Sequence, residues 1–182
     1  MWHLKKDTIE RWCWAQPLTK EGCDKIVDLG NKLEPKDASN GEIQKNKTCL
    51  LPINDDTRWI YETCSKIVID MNKQFFEYDL DYISGLQFNV YDGDTNDFHV
   101  KHIDTLSESV GIRKLSFTIQ LSEPDSYEGG ELQLHYSHKP DVAKKDQGSM
   151  TLFPSYSLNE ITPVTKGTRY ELVGWVVGPK LK

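Results

Sequence analysis

Residues 113–122 read Arg-Lys-Leu-Ser-Phe-Thr-Ile-Gln-Leu-Ser. Within this run Leu115, Phe117, Ile119 and Leu121 alternate with Ser116, Thr118 and Gln120. A period of two belongs to an extended strand, whose side chains project to opposite faces in turn. One face of this strand therefore packs on an apolar layer, and the other presents hydroxyls and an amide. Working outward, Tyr82–Tyr91, Glu131–Tyr136, Ser149–Phe153, Glu160–Val164 and Arg169–Val177 have similar strand character. Gly129-Gly130, Gly148, Pro154 and Gly167 separate them. Many short strands with regular turns predict an all-β sandwich or barrel.

Before about residue 80 the pattern is helical. Thr19 can cap a helix over Glu21–Leu33, with Cys23, Ile26, Val27 and Gly30 on one stripe. Asn54 or Asp55 can cap a second, along which Ile60, Cys64, Ile67, Val68, Met71 and Phe75 recur at helical spacing and read as a core stripe. Between them Glu34–Thr48 is polar, contains Pro35 and Gly41, and reads as a long surface loop. The expectation is one domain over 1–182, with 1–80 as helical support and 81–179 as the β core.

The stretch ahead of the central strand, Tyr91-Asp-Gly-Asp-Thr-Asn-Asp-Phe-His-Val-Lys-His-Ile-Asp104, carries the chemistry. His102 and Asp104 are two apart, so an extended backbone turns both to one face. An imidazole and a carboxylate there can share a metal, and a nitrogen-and-oxygen set with open positions suits Fe(II). A lone His-X-Asp is weak evidence, since a surface His beside an Asp has the same spelling. Its weight comes from its surroundings.

From Tyr91 to Pro179 the chain resembles the iron(II)/2-oxoglutarate-dependent dioxygenases of the prolyl 4-hydroxylase type. The resemblance rests on Tyr91 and Gly93 ahead of His102-Ile-Asp104, the strand Arg113–Ser122, Tyr127-Glu-Gly-Gly-Glu-Leu132, Phe153-Pro-Ser-Tyr156, and Pro163-Val-Thr-Lys-Gly-Thr-Arg-Tyr170 followed by Trp175. It implies a mainly β fold, a double-stranded β-helix or jelly roll, with supporting N-terminal α-helices. It also implies a third metal ligand, a His, where this chain has Asn159. An amide oxygen is a weaker donor to Fe(II) than an imidazole. Three explanations stay open: an altered form of an active enzyme, a natural enzyme that tolerates Asn as ligand, or a non-catalytic module. The other histidines are poor substitutes. His3 is terminal, His99 is expected on the face opposite His102, and His135 and His138 are expected to be exposed. Glu160 should face away from Asn159.

The resemblance further implies that a basic residue about ten positions past the third ligand grips the far carboxylate of 2-oxoglutarate, and Arg169 stands there. A guanidinium forks onto a carboxylate with two parallel hydrogen bonds. Alternation puts Arg169, Glu171, Val173 and Trp175 on one face, which the resemblance makes the barrel interior; Glu171 is uncomfortable there and is expected near the rim. Tyr91 would border the co-substrate, Thr118 and Gln120 would offer polar groups with the Gln120 amide donating to the far carboxylate, and Leu132 and Trp175 would close an apolar wall. The reaction implied is hydroxylation of a C–H bond with O2, 2-oxoglutarate giving succinate and CO2, and ascorbate as a further cofactor. Prolyl residues of a peptide or protein are the implied substrate; a non-catalytic binding module and a hydroxylase of free amino acids or other small molecules are the alternatives. Thr105–Ile112 and the Glu34–Thr48 loop could shape the substrate cleft.

Composition bounds the partners. The net charge of −6 argues against a nucleic-acid binder, which needs a basic face for phosphates. No apolar run reaches a membrane span and the N-terminus lacks a signal-peptide core. Four cysteines, none in a Cys-X-X-Cys pair, read as reduced core thiols. A cytoplasmic setting is expected, with bacterial or viral origin open.

Overall fold

The structure, a computed structural model, describes residues 11–40, 42–107 and 111–179. In chain order the elements are β1 (Cys13–Ala15), α1 (Lys20–Lys32), β2 (Lys36–Asp37), β3 (Gln44–Lys45), β4 (Lys47–Leu51), α2 (Arg58–Met71), β5 (Tyr82–Asp92), β6 (Phe98–His102) and β7 (Leu106–Ser107). They continue with β8 (Gly111–Gln120), β9 (Tyr127–Gly129), β10 (Leu132–Leu134), β11 (Asp141–Val142), β12 (Met150–Pro154), β13 (Asn159–Ile161) and β14 (Val164–Gly178).

Two sheets face each other, the arrangement of a double-stranded β-helix. The larger runs β1-β12-β8-β14-β5-β4-β2, with β7 paired to β8 and β9 to β14; the smaller runs β11-β10-β13-β6-β3. All their pairings are antiparallel. β8 and β14 are central, and their alternation sorts side chains to two buried faces. Leu115, Phe117, Ile119 and Leu172 pack with Cys23 and Ile26 of α1 and Ile60, Cys64, Val68 and Met71 of α2 in one apolar cluster. The other face meets the smaller sheet, where Tyr91, Tyr127 and Phe153 pack with Leu132, Leu134 and Ile161.

The helices form for local reasons. Thr19 caps α1, its Oγ1 accepting from Gly22 N at 3.2 Å. α2 starts differently from the sequence expectation. Thr57 occupies its cap position without a side-chain cap bond. Asn54 instead closes the preceding turn, its Oδ1 accepting from the backbone of Asp56 and Thr57 at 3.1 Å each. Asp55 is fully exposed and holds only a loose pair with Arg58.

The Glu34–Thr48 stretch is not a plain loop. It contributes β2 and β3 and the start of β4, which pairs with β5 from Lys47↔Val90 to Leu51↔Leu86. Its polarity is that of edge strands whose side chains face water, and edge strands commonly carry Lys. The cysteines form no disulfide. Among the described residues no helix is long and apolar enough to cross a membrane.

Candidate functional site

Between the sheets lies a cavity of about 50 Å³, lined by His99, His102, Asp104 and Asn159 on one side and by Tyr91, Thr118, Leu132, Glu171, Val173 and Trp175 among others. Arg169 and Gln120 sit behind it in an adjoining recess that shares Thr118 and Leu132. The structure therefore gathers the candidate residues drawn from the sequence around two adjoining recesses between the sheets.

His102 Nε2 and Asp104 Oδ1 are 3.6 Å apart. Each side chain is fixed through its other polar atom. His102 Nδ1 lies 2.8 Å from Val100 O. A carbonyl only accepts, so Nδ1 carries the hydrogen, and Nε2 is the ring nitrogen that faces Asp104 and could bind a metal. Asp104 Oδ2 accepts from Ser116 Oγ at 2.8 Å, and Ser116 Oγ is 2.9 Å from Ser155 Oγ. That leaves Oδ1 directed toward the imidazole. Alternation from Thr118 back to Ser116 could have disclosed this support, since both lie on the inward face of β8.

Asn159 is the cross-strand partner of His102, is buried, and lines the same cavity. Its Nδ2 donates to His102 O and Ser157 O, both at 3.2 Å. Oδ1 is the atom left for a metal. The set thus fits Fe(II) as two firm ligands and one weak one. Among the described residues no three His, Cys, Asp or Glu side chains converge as a metal site.

His99 corrects the sequence reading. It stacks on His102 with ring centroids 3.7 Å apart and lines the same cavity. The cause is the register of β6 against β13: Asn159 pairs with His102 but Ile161 pairs with His99. Three steps on β6 oppose two on β13, and this bulge absorbs the residue that alternation would have counted. Burial and the neighbouring His102 push the His99 imidazole down to about 4, so it is neutral near pH 7. His135 also differs from expectation. It is largely covered, and its Nε2 is 2.8 Å from Glu160 Oε1, on the side of β13 away from the cavity. Glu160 thus faces away from Asn159. His138 is exposed, and His3 lies outside the described residues.

The second half of the site is organised by Glu171, which is not at the rim. It is buried at 1 % exposure. Its Oε1 accepts from Tyr91 Oη and Asn89 Nδ2, each at 2.9 Å. Its Oε2 lies 2.6 Å from Arg169 Nη2, an ion pair whose alignment is not that of a hydrogen bond. Glu171 and Asn89 are register partners on β14 and β5, and Asn89 shares the inward face with Tyr91, so the period of two could have found it. Arg169 is equally buried. Its Nε donates to Gln120 Oε1 at 3.2 Å, and Nη1 has no partner. Burial works against its charge, yet Glu171, Tyr127 and Tyr91 hold its pKa above the ordinary guanidinium value. Burial, then the Glu171 charge, pushes the Tyr91 phenol well above its usual range.

Gln120 also departs from expectation. Its amide nitrogen donates to Tyr127 Oη at 3.0 Å, so it braces Arg169 from behind and is not aimed at a ligand. Gly130, at φ +58°, is the counterpart on the turn. A Cβ there would lie 2.7 Å from Arg169 Cδ, so a glycine lets the guanidinium stem pass. Trp175 lies under the Arg113 guanidinium at 4.0 Å, and its Nε1 is buried without a partner.

These residues test poorly for 2-oxoglutarate. The two donors that the sequence sets around its far carboxylate, on Arg169 and Gln120, and the bordering Tyr91 hydroxyl are engaged within the chain, with only Arg169 Nη1 free.

Comparison with known proteins gives the lineage. A model of the 2OG-Fe(II) oxygenase superfamily matches residues 86–177. A PKHD-type hydroxylase of Hyphomonas neptunium is 48% identical over 62 residues, covering 34% of this chain and 28% of that protein. One from a Shewanella species is 41% identical over 91 residues, covering 49% of this chain and 41% of its own length. The matches thus span well under half of these relatives. A prolyl-4-hydroxylase of Pseudomonas putida superposes with a TM-score of 0.72 at 17% identity, covering 93% of this chain and 94% of that one. A Trichoplax adhaerens prolyl hydroxylase, solved with a peptide fragment of the hypoxia inducible factor oxygen degradation domain, gives 0.75 at 15% identity over 92% and 84%. With the family's strands, His-X-Asp pair and inward arginine all carried on the matched stretch, the chain belongs to the 2OG-Fe(II) oxygenase superfamily.

Proposed function

We propose that this chain is an iron(II)-dependent hydroxylase of the prolyl 4-hydroxylase type, acting on a prolyl residue of a peptide or protein with O2 and a 2-oxo acid. In the family the acid is 2-oxoglutarate, which yields succinate and CO2; ascorbate would keep the iron ferrous. The observation that carries the reading is the pair His102 Nε2 and Asp104 Oδ1, 3.6 Å apart and each held from behind, at an enclosed cavity.

Iron supplies a reactivity toward dioxygen that protein side chains lack. The chain's own part is positional. The Val100 carbonyl fixes the tautomer and aim of His102, and Ser116 turns Asp104 toward the same point. Asn159 offers a third, neutral oxygen. Leu132, Phe153, Ile161, Val173 and Trp175 supply the cavity's apolar wall. The Trichoplax neighbour's peptide supports a peptide substrate. β3, paired to the His102 strand at Gln44↔His99, and β7, which follows Asp104 closely in the chain, would border it. Residues 108–110, within the Thr105–Ile112 segment, lie outside the described residues.

Metal binding and succinate formation, measured for this chain and for Asn159→His, test the reading. Replacing the amide by imidazole is expected to raise Fe(II) or Mn(II) affinity by about 10–100-fold. Turnover on a proline-containing peptide should exceed turnover on free proline; the reverse would favour a small-molecule hydroxylase. Absence of metal from both forms would sink the oxygenase reading and leave a binding module.

A further inference from the structure

We propose that Glu171 is the specificity-determining residue for the co-substrate: it fills the carboxylate half of the pocket from within, so that the site selects a short 2-oxo acid of pyruvate size over 2-oxoglutarate. The inference rests on the oxygenase reading above and concerns which acid that site accepts.

The first argument is occupancy. Glu171 presents to Arg169 and Tyr91 the same group that the end of a dicarboxylate would present. Tyr91 Oη and Asn89 Nδ2 donate to one oxygen, and the Arg169 guanidinium faces the other. Both two-nitrogen edges of a guanidinium contain Nη2, and Nη2 is the nitrogen against Glu171. The unpartnered Nη1 alone cannot form the fork that makes arginine a selective carboxylate receptor.

The second argument is charge. Among the described residues that line the cavity and its adjoining recess, Arg169 is the fully buried cation, and Glu171 pairs it on the cavity side; Lys144 and Lys145 line only the outer side of the recess, where Lys145 Nζ is held by Gly129 O and lies over the Tyr127 ring. An incoming carboxylate would meet a neutral pair and, within contact distance, a second carboxylate. Two carboxylates sharing one dry site strongly resist being ionised together. The third is room. The cavity holds about 50 Å³, where one ordered water needs roughly 10–15 Å³. That is room for a small ligand, and a far carboxylate reaching for Arg169 Nη2 would meet the Glu171 carboxylate already there. A 2-oxo acid without the far carboxylate keeps the metal-chelating end and meets none of these obstacles.

The experiment is calorimetric titration of the purified chain loaded with Mn(II), using pyruvate and 2-oxoglutarate as probes. Pyruvate should bind about tenfold more tightly. In Glu171→Ser, 2-oxoglutarate affinity should rise by about tenfold or more, and in Glu171→Gln by less, with pyruvate little changed. Binding of 2-oxoglutarate as tight as or tighter than pyruvate in the unmodified chain overturns the proposal. So does failure of either acid to bind while Mn(II) does, which leaves the metal reading standing. Should Glu171→Ser not fold, the unmodified chain and the Gln form decide. If Mn(II) itself fails to bind, the oxygenase reading falls. The pocket is then decided by glutarate, which has no chelating end: thermal stabilisation of the Gln form alone supports the proposal, and equal or absent stabilisation of the two overturns it.

Discussion

On the helix side of β14, Tyr170 stacks on Phe88, Leu172 is fully buried, and Gly174 leaves space for the ring of Phe117. On the opposite side of the same strand, Arg169 and Glu171 are equally buried, followed by Val173 and Trp175 along the cavity. Both faces bury side chains between Arg169 and Leu172, but they are held by different physics. The first gains from area removed from water and from close packing. The second must pair the charges that it buries, because an unpaired one is costly, and it still leaves Arg169 Nη1 and Trp175 Nε1 without a partner. The lesson is that burial alone does not mark the site; what marks it is buried polarity on the face turned away from the helices.

The sharpest way to break the comparison is to unbalance the polar face. Glu171→Leu leaves the Arg169 charge buried and alone, which should cost about 3–5 kcal/mol of folding stability. Combining it with Arg169→Met removes both charges, and the double variant should return to within about 1 kcal/mol of the parent or exceed it. Urea unfolding of the three forms reads this directly. If Glu171→Leu costs no more than the double variant, Arg169 is not paired by Glu171 as described. Any non-additivity is itself the coupling between the two groups.

The same contrast explains what was legible in the sequence. The helix face was plain: Leu115, Phe117, Ile119 and Leu121 keep a strict period, as do Ile60, Cys64 and Val68 on α2, and burial of those sets follows from pattern alone. On the polar face the period placed Thr118, Gln120, Arg169 and Glu171 inward, yet partner choice was beyond it. Pairing depends on register between strands far apart in the chain, such as Glu171↔Asn89 and Glu171↔Gln120. Hence the sequence alone puts Glu171 at the rim and turns Gln120 toward a ligand. His99 was missed for a related reason: a one-residue bulge between β6 and β13 is invisible to single-chain alternation. The Glu34–Thr48 stretch reads as loop because short edge strands carry no alternating apolar set.

A middle-sized effect tests the apolar face alone. A Cβ on Gly174 would lie 2.2 Å from Phe117 Cζ, and Phe117 is enclosed with nowhere to move. Gly174→Ala should therefore cost about 1–3 kcal/mol through overpacking. Metal affinity, read by Mn(II) titration below the unfolding transition, should be unchanged. A change in affinity without a change in stability would show that the two faces of β14 are mechanically coupled.

The smallest effect on stability comes from the hydroxyl that joins the central strand to the candidate metal pair. Ser116 donates to Asp104 Oδ2 and lies against Ser155 Oγ. Ser116→Ala should cost only about 1 kcal/mol of stability, the net worth of a typical hydrogen bond. Its effect on metal binding should be larger in proportion, a loss of about tenfold or more, because Asp104 is then free to turn its Oδ1 away from His102. Ser116→Thr keeps a hydroxyl and should restore part of that affinity. Equal loss in the Ala and Thr forms would mean that packing, not orientation of Asp104, is what Ser116 supplies.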